Sequence, residues 1–97
     1  MIRKATSQDI FSIKSIDHIV PLDAERSKFI ERAVKQNQAY ILENDRNLIG
    51  YGVIRDNFFG YPFIEMLYIR EEEREKGYGR RLLCDLKDNA KGEKVFT

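Results

Sequence analysis

The chain opens on "MIRKAT", where apolar and polar positions alternate closely enough to read as a strand. From Thr6 the period changes to that of a helix. Ile10 and Ile13 recur at helical spacing, and Phe11 and Ile16 are further candidates for the inward face. Asp9 stands three residues after Thr6, so its carboxylate can reach back to the Thr6 amide as in a capping box. "HIVP" breaks this helix, because Pro21 disfavours helical geometry at Val20. A second stripe runs from Leu22 through Phe29, Ile30, Ala33 and Val34 until "NQ" ends it.

The pattern then turns strand-like. "AYILE" and "LIGYGVIR" are joined by "NDRN", which has the residues of a tight turn. "DNFFGY" makes the next turn, and "PFIEMLYIR" is a further strand with Pro62 at its first position, where a missing N–H does least harm. A charged loop, "REEEREK", leads into Gly77. The helix after it sets Leu82, Leu83, Leu86 and Ala90 on one face, and "GEKVFT" opens like another strand. No repeat, low-complexity segment or linker interrupts the order. It predicts one α/β domain over residues 1–97, a mixed, mostly antiparallel sheet flanked by helices.

Composition narrows the class. In 97 residues, 17 basic side chains stand against 16 acidic ones, and apolar residues make up 42%. That balance describes a globular domain and exerts no general pull toward nucleic acid or membrane. No apolar run approaches the roughly 18 residues of a membrane span, and the N-terminus lacks the apolar centre of a signal peptide. The single cysteine, Cys84, excludes an internal disulfide framework and makes a reduced, cytoplasmic setting the expectation. Cys84 falls off the leucine stripe and reads as structural. The acidic run at residues 71–73 lacks metal-ligand spacing and reads as a solvated loop, and no metal is expected.

The chemistry concentrates at "REKGYGRRLL". A helix N-terminus carries unpaired backbone N–H groups and partial positive charge. Glycine lets a large anion approach those amides, because no Cβ intervenes. Phosphate fits such a place, and Arg74, Lys76, Arg80 and Arg81 add positive charge. The spacing is not that of the common dinucleotide or P-loop fingerprints.

With the apolar strand before it and the leucine helix after it, "IEMLYIREEEREKGYGRRLL" resembles motif A of the GNAT superfamily of acyl-CoA-dependent N-acyltransferases. The family pattern, [QR]-x-x-G-x-[GA], falls on Arg74, Gly77 and Gly79, and "YILENDRNLIGYGVIR" is similar to the family's second and third strands. Family domains normally continue through at least two more strands and a helix, so the resemblance implies a GNAT-like fold that is C-terminally incomplete. It further implies acetyl transfer from acetyl-CoA to a primary amine by direct attack. The alternatives are a non-catalytic acyl-CoA-binding module and a fragment of a longer protein.

Residue by residue, the resemblance puts the backbone of Leu67, Tyr68 and Ile69 against the pantetheine arm, like an added strand. It puts the amides of Glu75, Lys76, Gly77, Tyr78, Gly79 and Arg80, with Arg74, around the pyrophosphate. Tyr78 is expected to cover the cofactor or pack beside it.

Glu65 precedes these contacts and by alternation shares a face with Leu67 and Ile69. It reads either as a general base with a raised pKa or as a carboxylate at the solvent-facing start of its strand. His18 lies where the family often receives its acceptor, and reads equally as a cap or surface residue. Tyr51 and Tyr68 read as packing residues. The resemblance implies a small-molecule or peptide amine as the acceptor. An open sheet edge would invite strand pairing, so a homodimer or a longer native chain is expected.

Overall fold

The computed structural model describes residues 2–56 and 61–89. Four strands, β1 (Ile2–Lys4), β2 (Ala39–Asn44), β3 (Asn47–Asp56) and β4 (Pro62–Ile69), lie in that order in one antiparallel sheet. Helices α1 (Ile10–Ile16) and α2 (Ala24–Lys35) join β1 to β2, and α3 (Tyr78–Asn89) follows β4. Element order and α/β class match the reading from the sequence. Most of the "DNFFGY" turn, Ala90 and the "GEKVFT" run lie outside the described residues.

Alternation along the strands gives the sheet two apolar faces. Ile41, Tyr51, Val53 and Tyr68 meet Ile13 of α1 and Ile30, Ala33 and Val34 of α2. On the other face Leu42, Ile49 and Ile64 meet Leu82 and Leu86 of α3. The turn between β2 and β3 puts Asp45 and Arg46 at φ 52° and 68°. Two consecutive positive φ values give the hairpin twist that matches the strands.

Two expected inward positions point outward. Phe11 is 82% exposed, because the short α1 has one inward stripe and Ile10, Ile13 and Ile16 already fill it. Leu22 is 78% exposed and belongs to a 3₁₀ turn, Val20–Leu22. The second helix starts after it because Asp23 takes the N-cap, its Oδ1 accepting the Glu25 N–H at 2.9 Å. Cys84 is exposed, off the stripe as expected, between the buried Leu82 and Leu86 of α3.

Both long strand pairs carry a bulge. Leu42 pairs with Gly50 and Glu43 with Leu48, so Ile49 is extra on β3. Val53 pairs with Met66 and Ile54 with Ile64, so Glu65 is extra on β4. Between these bulges β3 and β4 approach closely at Gly50, where a Cβ would lie 2.4 Å from the Tyr68 carbonyl oxygen. No side chain larger than hydrogen fits there without moving β4.

At the first helix entry, the Thr6 N–H donates to Asp9 at 2.7 Å, as the capping box predicts. Arg3 donates to both oxygens of Asp9 at 2.9 Å and reaches Glu43 across the sheet. The Arg3 guanidinium holds the Asp9 carboxyl down to about 2. A depressed carboxylate contributes stability above its unfolded pKa and loses it as pH falls through the folded value. Asp9→Asn should therefore flatten the loss of stability between about pH 4 and pH 2, by about 1 kcal/mol at this partly exposed pair. Urea unfolding across that range checks it, and a variant that parallels the parent would refute the assignment.

Candidate functional site

The register of β4 decides which backbone groups are free. Arg70 N–H donates to the Ile49 carbonyl at 2.8 Å, which marks that facing position as one of the hydrogen-bonded kind. In an antiparallel ladder, bonded and non-bonded pairs alternate. Tyr68 opposite Tyr51 is thus a bonded pair, while Leu67 opposite Gly52 and Ile69 opposite Gly50 turn their N–H and C=O groups away from β3. Of the three residues expected to offer backbone to a ligand, Leu67 and Ile69 have groups directed away from β3, with the Ile69 carbonyl accepting from Arg74 Nε at 2.8 Å, while the Tyr68 backbone faces β3.

Beyond Ile69 the chain makes a 3₁₀ turn, Glu71–Glu73, where a solvated loop was expected, and swings back at Glu75, which holds φ 63°. Gly77 follows at φ 86°, and its carbonyl accepts the first α3 bond, from the Arg81 N–H at 3.1 Å. The amides of Tyr78, Gly79 and Arg80 therefore precede the helix ladder. The two glycines divide the work. A Cβ at Gly77 would meet nothing within 4 Å, so its requirement is conformational. Gly79 lines the cleft, and a Cβ there would make only ordinary contact with Ile69 at 3.9 Å. Among the described residues nothing demands glycine at 79.

Leu67, Tyr68, Ile69, Arg74, Glu75 and Gly79 surround one cleft of about 290 Å³. The outward edge of β4 thus runs directly into the amides that open α3. The basic residues are less available than their number suggests. Arg74 donates to the Ile69 carbonyl at 2.8 Å and lies over the Tyr68 ring, 5.0 Å from its centroid. Lys76 pairs with Glu73 at 3.1 Å and Arg81 with Asp85 at 3.8 Å, whereas Arg80 is exposed. Tyr78 turns away from the cleft. It packs with the α3-side cluster, and its hydroxyl accepts from Asn44 Nδ2 at 3.3 Å.

Glu65, as the extra residue of the β4 bulge, has no partner on β3, so simple alternation does not set its direction. Its Oε2 lies 3.7 Å from Arg55, and its Oε1 is buried without a hydrogen-bond partner among the described residues.

The sequence reading missed a clamp on the other face of the sheet. Asp17, 1% exposed, accepts from the Tyr51 hydroxyl at 2.7 Å, Arg26 Nε at 2.9 Å and the Ile19 N–H at 2.9 Å. Burial, and then the bond to Asp17, pushes the Tyr51 phenol well above its ordinary pKa, so Tyr51 stays protonated and is no acid for chemistry. The next residue, His18, grips Tyr68: its N–H donates to the phenolic oxygen at 3.0 Å and its Nδ1 is hydrogen-bonded to the same atom. One signal was present. A carboxylate directly after a helix C-terminus opposes the helix dipole and calls for a partner.

Comparison with known proteins fits this geometry. The family model described as "Acetyltransferase (GNAT) family" matches residues 7–97. A GNAT family acetyltransferase of Bacillus cereus is 26% identical, with a TM-score of 0.77 over 89% of this chain and 61% of its own. N-acetylglutamate synthase of Neisseria gonorrhoeae, solved with coenzyme A and N-acetyl-glutamate, is 29% identical, with a TM-score of 0.75 over 95% of this chain and 22% of its own. A GNAT family acetyltransferase of Brucella melitensis, solved with acetyl-CoA, shares the fold at 14% identity and a TM-score of 0.77, over 95% of this chain and 68% of its own. The chain thus spans less than two thirds of the first two. No curated protein sequence matches it.

The two glycines should respond differently to the same change. Gly77→Ala should destabilise by about 1 kcal/mol or more, because alanine resists positive φ. Gly79→Ala should leave stability within about 0.5 kcal/mol, or raise it by up to about 1 kcal/mol, as expected within a helix. Denaturant unfolding of both variants decides this; equal costs would mean that the cleft-side glycine is also structural.

Proposed function

The chain belongs to the acetyltransferase (GNAT) family, and from that premise we propose that it transfers an acetyl group from acetyl-CoA to a primary amine. The observation that carries this reading is the continuity of the cleft, from the outward backbone of Leu67 and Ile69 to Gly79 and the first amides of α3. An extended amide-bearing arm suits the strand edge, and a pyrophosphate suits the helix N-terminus. The fit is chemical as well as spatial. Arg80 is exposed beside the amides, and Gly79 leaves them uncovered.

In this reading the two substrates meet on the enzyme and no acyl-enzyme forms. The amine nitrogen, as the free base, attacks the thioester carbonyl. The carbon–sulfur bond breaks, the thiolate leaves with a proton, and the amide product forms. Holding both reactants together supplies much of the rate. Glu65 is the proposed base, acting directly or through a water. A buried carboxylate oxygen without a partner among the described residues calls for an explanation, and taking a proton from the acceptor ammonium supplies one.

Calorimetry with acetyl-CoA tests the placement. Gly79→Val should weaken binding at least about tenfold, roughly 1.4 kcal/mol, while the protein stays folded. Unchanged affinity would remove the cleft from the proposal. Glu65→Gln should bind acetyl-CoA like the parent and lose about 10²-fold in CoA release with an active amine near neutral pH. Turnover within about threefold of the parent would exclude Glu65. Tight binding by the parent without turnover on any amine would instead support a non-catalytic acyl-CoA-binding module.

A further inference from the structure

A second cavity lies on the α1 face of the sheet, beside the hairpin that joins β2 to β3. Its volume is about 260 Å³, and it shares no lining residue with the cleft. Buried Ile41 and half-buried Ile16 and Leu48 give it an apolar floor. Two arginines, Arg46 and Arg70, line it as well, and neither is fully committed within the fold. Arg46 makes no ion pair or hydrogen bond among the described residues. It holds φ 68° in the tight turn, where glycine is the favoured residue, so the turn itself does not ask for arginine. A guanidinium carries several N–H donors, and Arg70 gives one of them, from Nη1 to the Leu48 carbonyl at 3.2 Å. Its Nε is buried without an acceptor among the described residues, and Glu72 at 3.7 Å is beyond hydrogen-bond reach.

The acids around the cavity set how much charge it accepts. Asp9 and Glu43 also line it, and Arg3 holds both. Two carboxylates on one guanidinium leave a negative excess, which offsets part of the charge on Arg46 and Arg70. Glu72, beside Arg70, offsets more. At most one positive charge is therefore left to be met. A dianion such as phosphate would bring more charge than the arginines can compensate and would be repelled by Asp9 and Glu43. A carboxylate suits the cavity better. It carries one charge, its two oxygens match the fork of a guanidinium, and a short hydrocarbon tail would cover the apolar floor.

We infer that this cavity is a second ligand site, taking a small monocarboxylate with a short apolar tail, its carboxylate on Arg46 and Arg70. The inference goes beyond the acyl-transfer reading and stands apart from it, because none of the residues that carry it lines the cleft.

Proton–nitrogen NMR of the whole chain tests this, with sodium butyrate as the probe and sodium chloride at equal ionic strength as the blank. Butyrate should move the amides of Ser12, Asn47 and Arg70 in a saturable way, with a Kd on the order of 1 mM. Inorganic phosphate, and n-butylammonium with the same tail and the opposite charge, should each bind at least about tenfold more weakly. Arg46→Gln removes no bond from the fold and should weaken butyrate at least about tenfold. Arg70→Gln should do the same. That variant also loses the Leu48 contact, so Arg46→Gln decides the matter if it fails to fold. Added acetyl-CoA should leave the butyrate titration unchanged. No saturable shift up to about 50 mM butyrate, shifts that chloride reproduces, or phosphate binding as tightly as butyrate would overturn the inference. So would unchanged affinity in Arg46→Gln, or displacement of butyrate by acetyl-CoA, which would place the probe in the cleft. Butyrate binding by a chain without affinity for acetyl-CoA would uphold this site and count against the acyl-transfer reading alone.

Discussion

Asp17 is the point on which one whole face of the sheet depends. A carboxylate buried to this extent is costly unless its oxygens are filled, and three donors from three parts of the chain fill them. Tyr51 comes from β3, Arg26 from the first turn of α2, and the Ile19 amide from the loop itself. Satisfying one charge therefore fixes the end of α1, the entry to α2 and the middle of the sheet relative to one another. Removing a single partner would leave the charge under-compensated, which is why such a cluster holds its geometry. The clamp reaches β4 through register. Asp17 and His18 are consecutive, Tyr51 and Tyr68 are directly paired across the strands, and each loop residue takes one tyrosine. The loop between the helices is thereby seated over the same stretch of β4 whose other groups line the cleft.

That stretch is shaped from both sides. Gly50 lets β3 approach so closely that the Tyr68 carbonyl occupies the place of a Cβ. The Glu65 bulge then adds one residue to β4 where pairing with β3 resumes beyond it. A bulge increases local twist and re-aims side chains. Here it takes Glu65 out of the ladder while Leu67 and Ile69 keep a regular pattern toward the cleft. The order of the features follows from one constraint, that strand edge and helix N-terminus must share a ligand-sized gap. Glu75 and Gly77, both at positive φ, make the sharp return that closes that distance.

The fold was legible because its signals are local and redundant. Thr6 and Asp9 announce a helix entry by spacing, Pro62 and the "NDRN" turn mark strand limits, and Leu82 and Leu86 repeat at one helical period. The glycine loop that opens α3 was legible for the same reason: glycine at 77 and 79 is a short-range pattern. What failed was long-range or fine-grained. Phe11 and Leu22 sit beside true stripe positions, and only the packed neighbours decide which residue turns in. Tyr78 was expected to cover the cofactor or pack beside it, and the bond that its hydroxyl accepts from Asn44, thirty-four positions away, was not foreseen. The tyrosines were read as packing, which holds for their rings and misses their oxygens. The Asp17 and His18 contacts join residues that only the closed sheet brings together, and no period in the chain encodes them.

Electrostatics gives the last step. The chain is nearly neutral, at a formal +1, so a polyanionic ligand is not drawn in by bulk charge. Around the loop, Lys76 and Arg81 are each paired with an acid, and Arg74 is engaged with its own strand. Exposed pairs of this kind contribute little and are screened by salt. In the proposed reading, attraction for phosphate would come chiefly from the oriented amides ahead of the α3 ladder, which are fixed in place and need no side chain to be ordered on binding. Such a site gains its affinity from close approach and less from long-range pull. This is the physical reason that bareness at Gly79 matters more than the count of arginines around it.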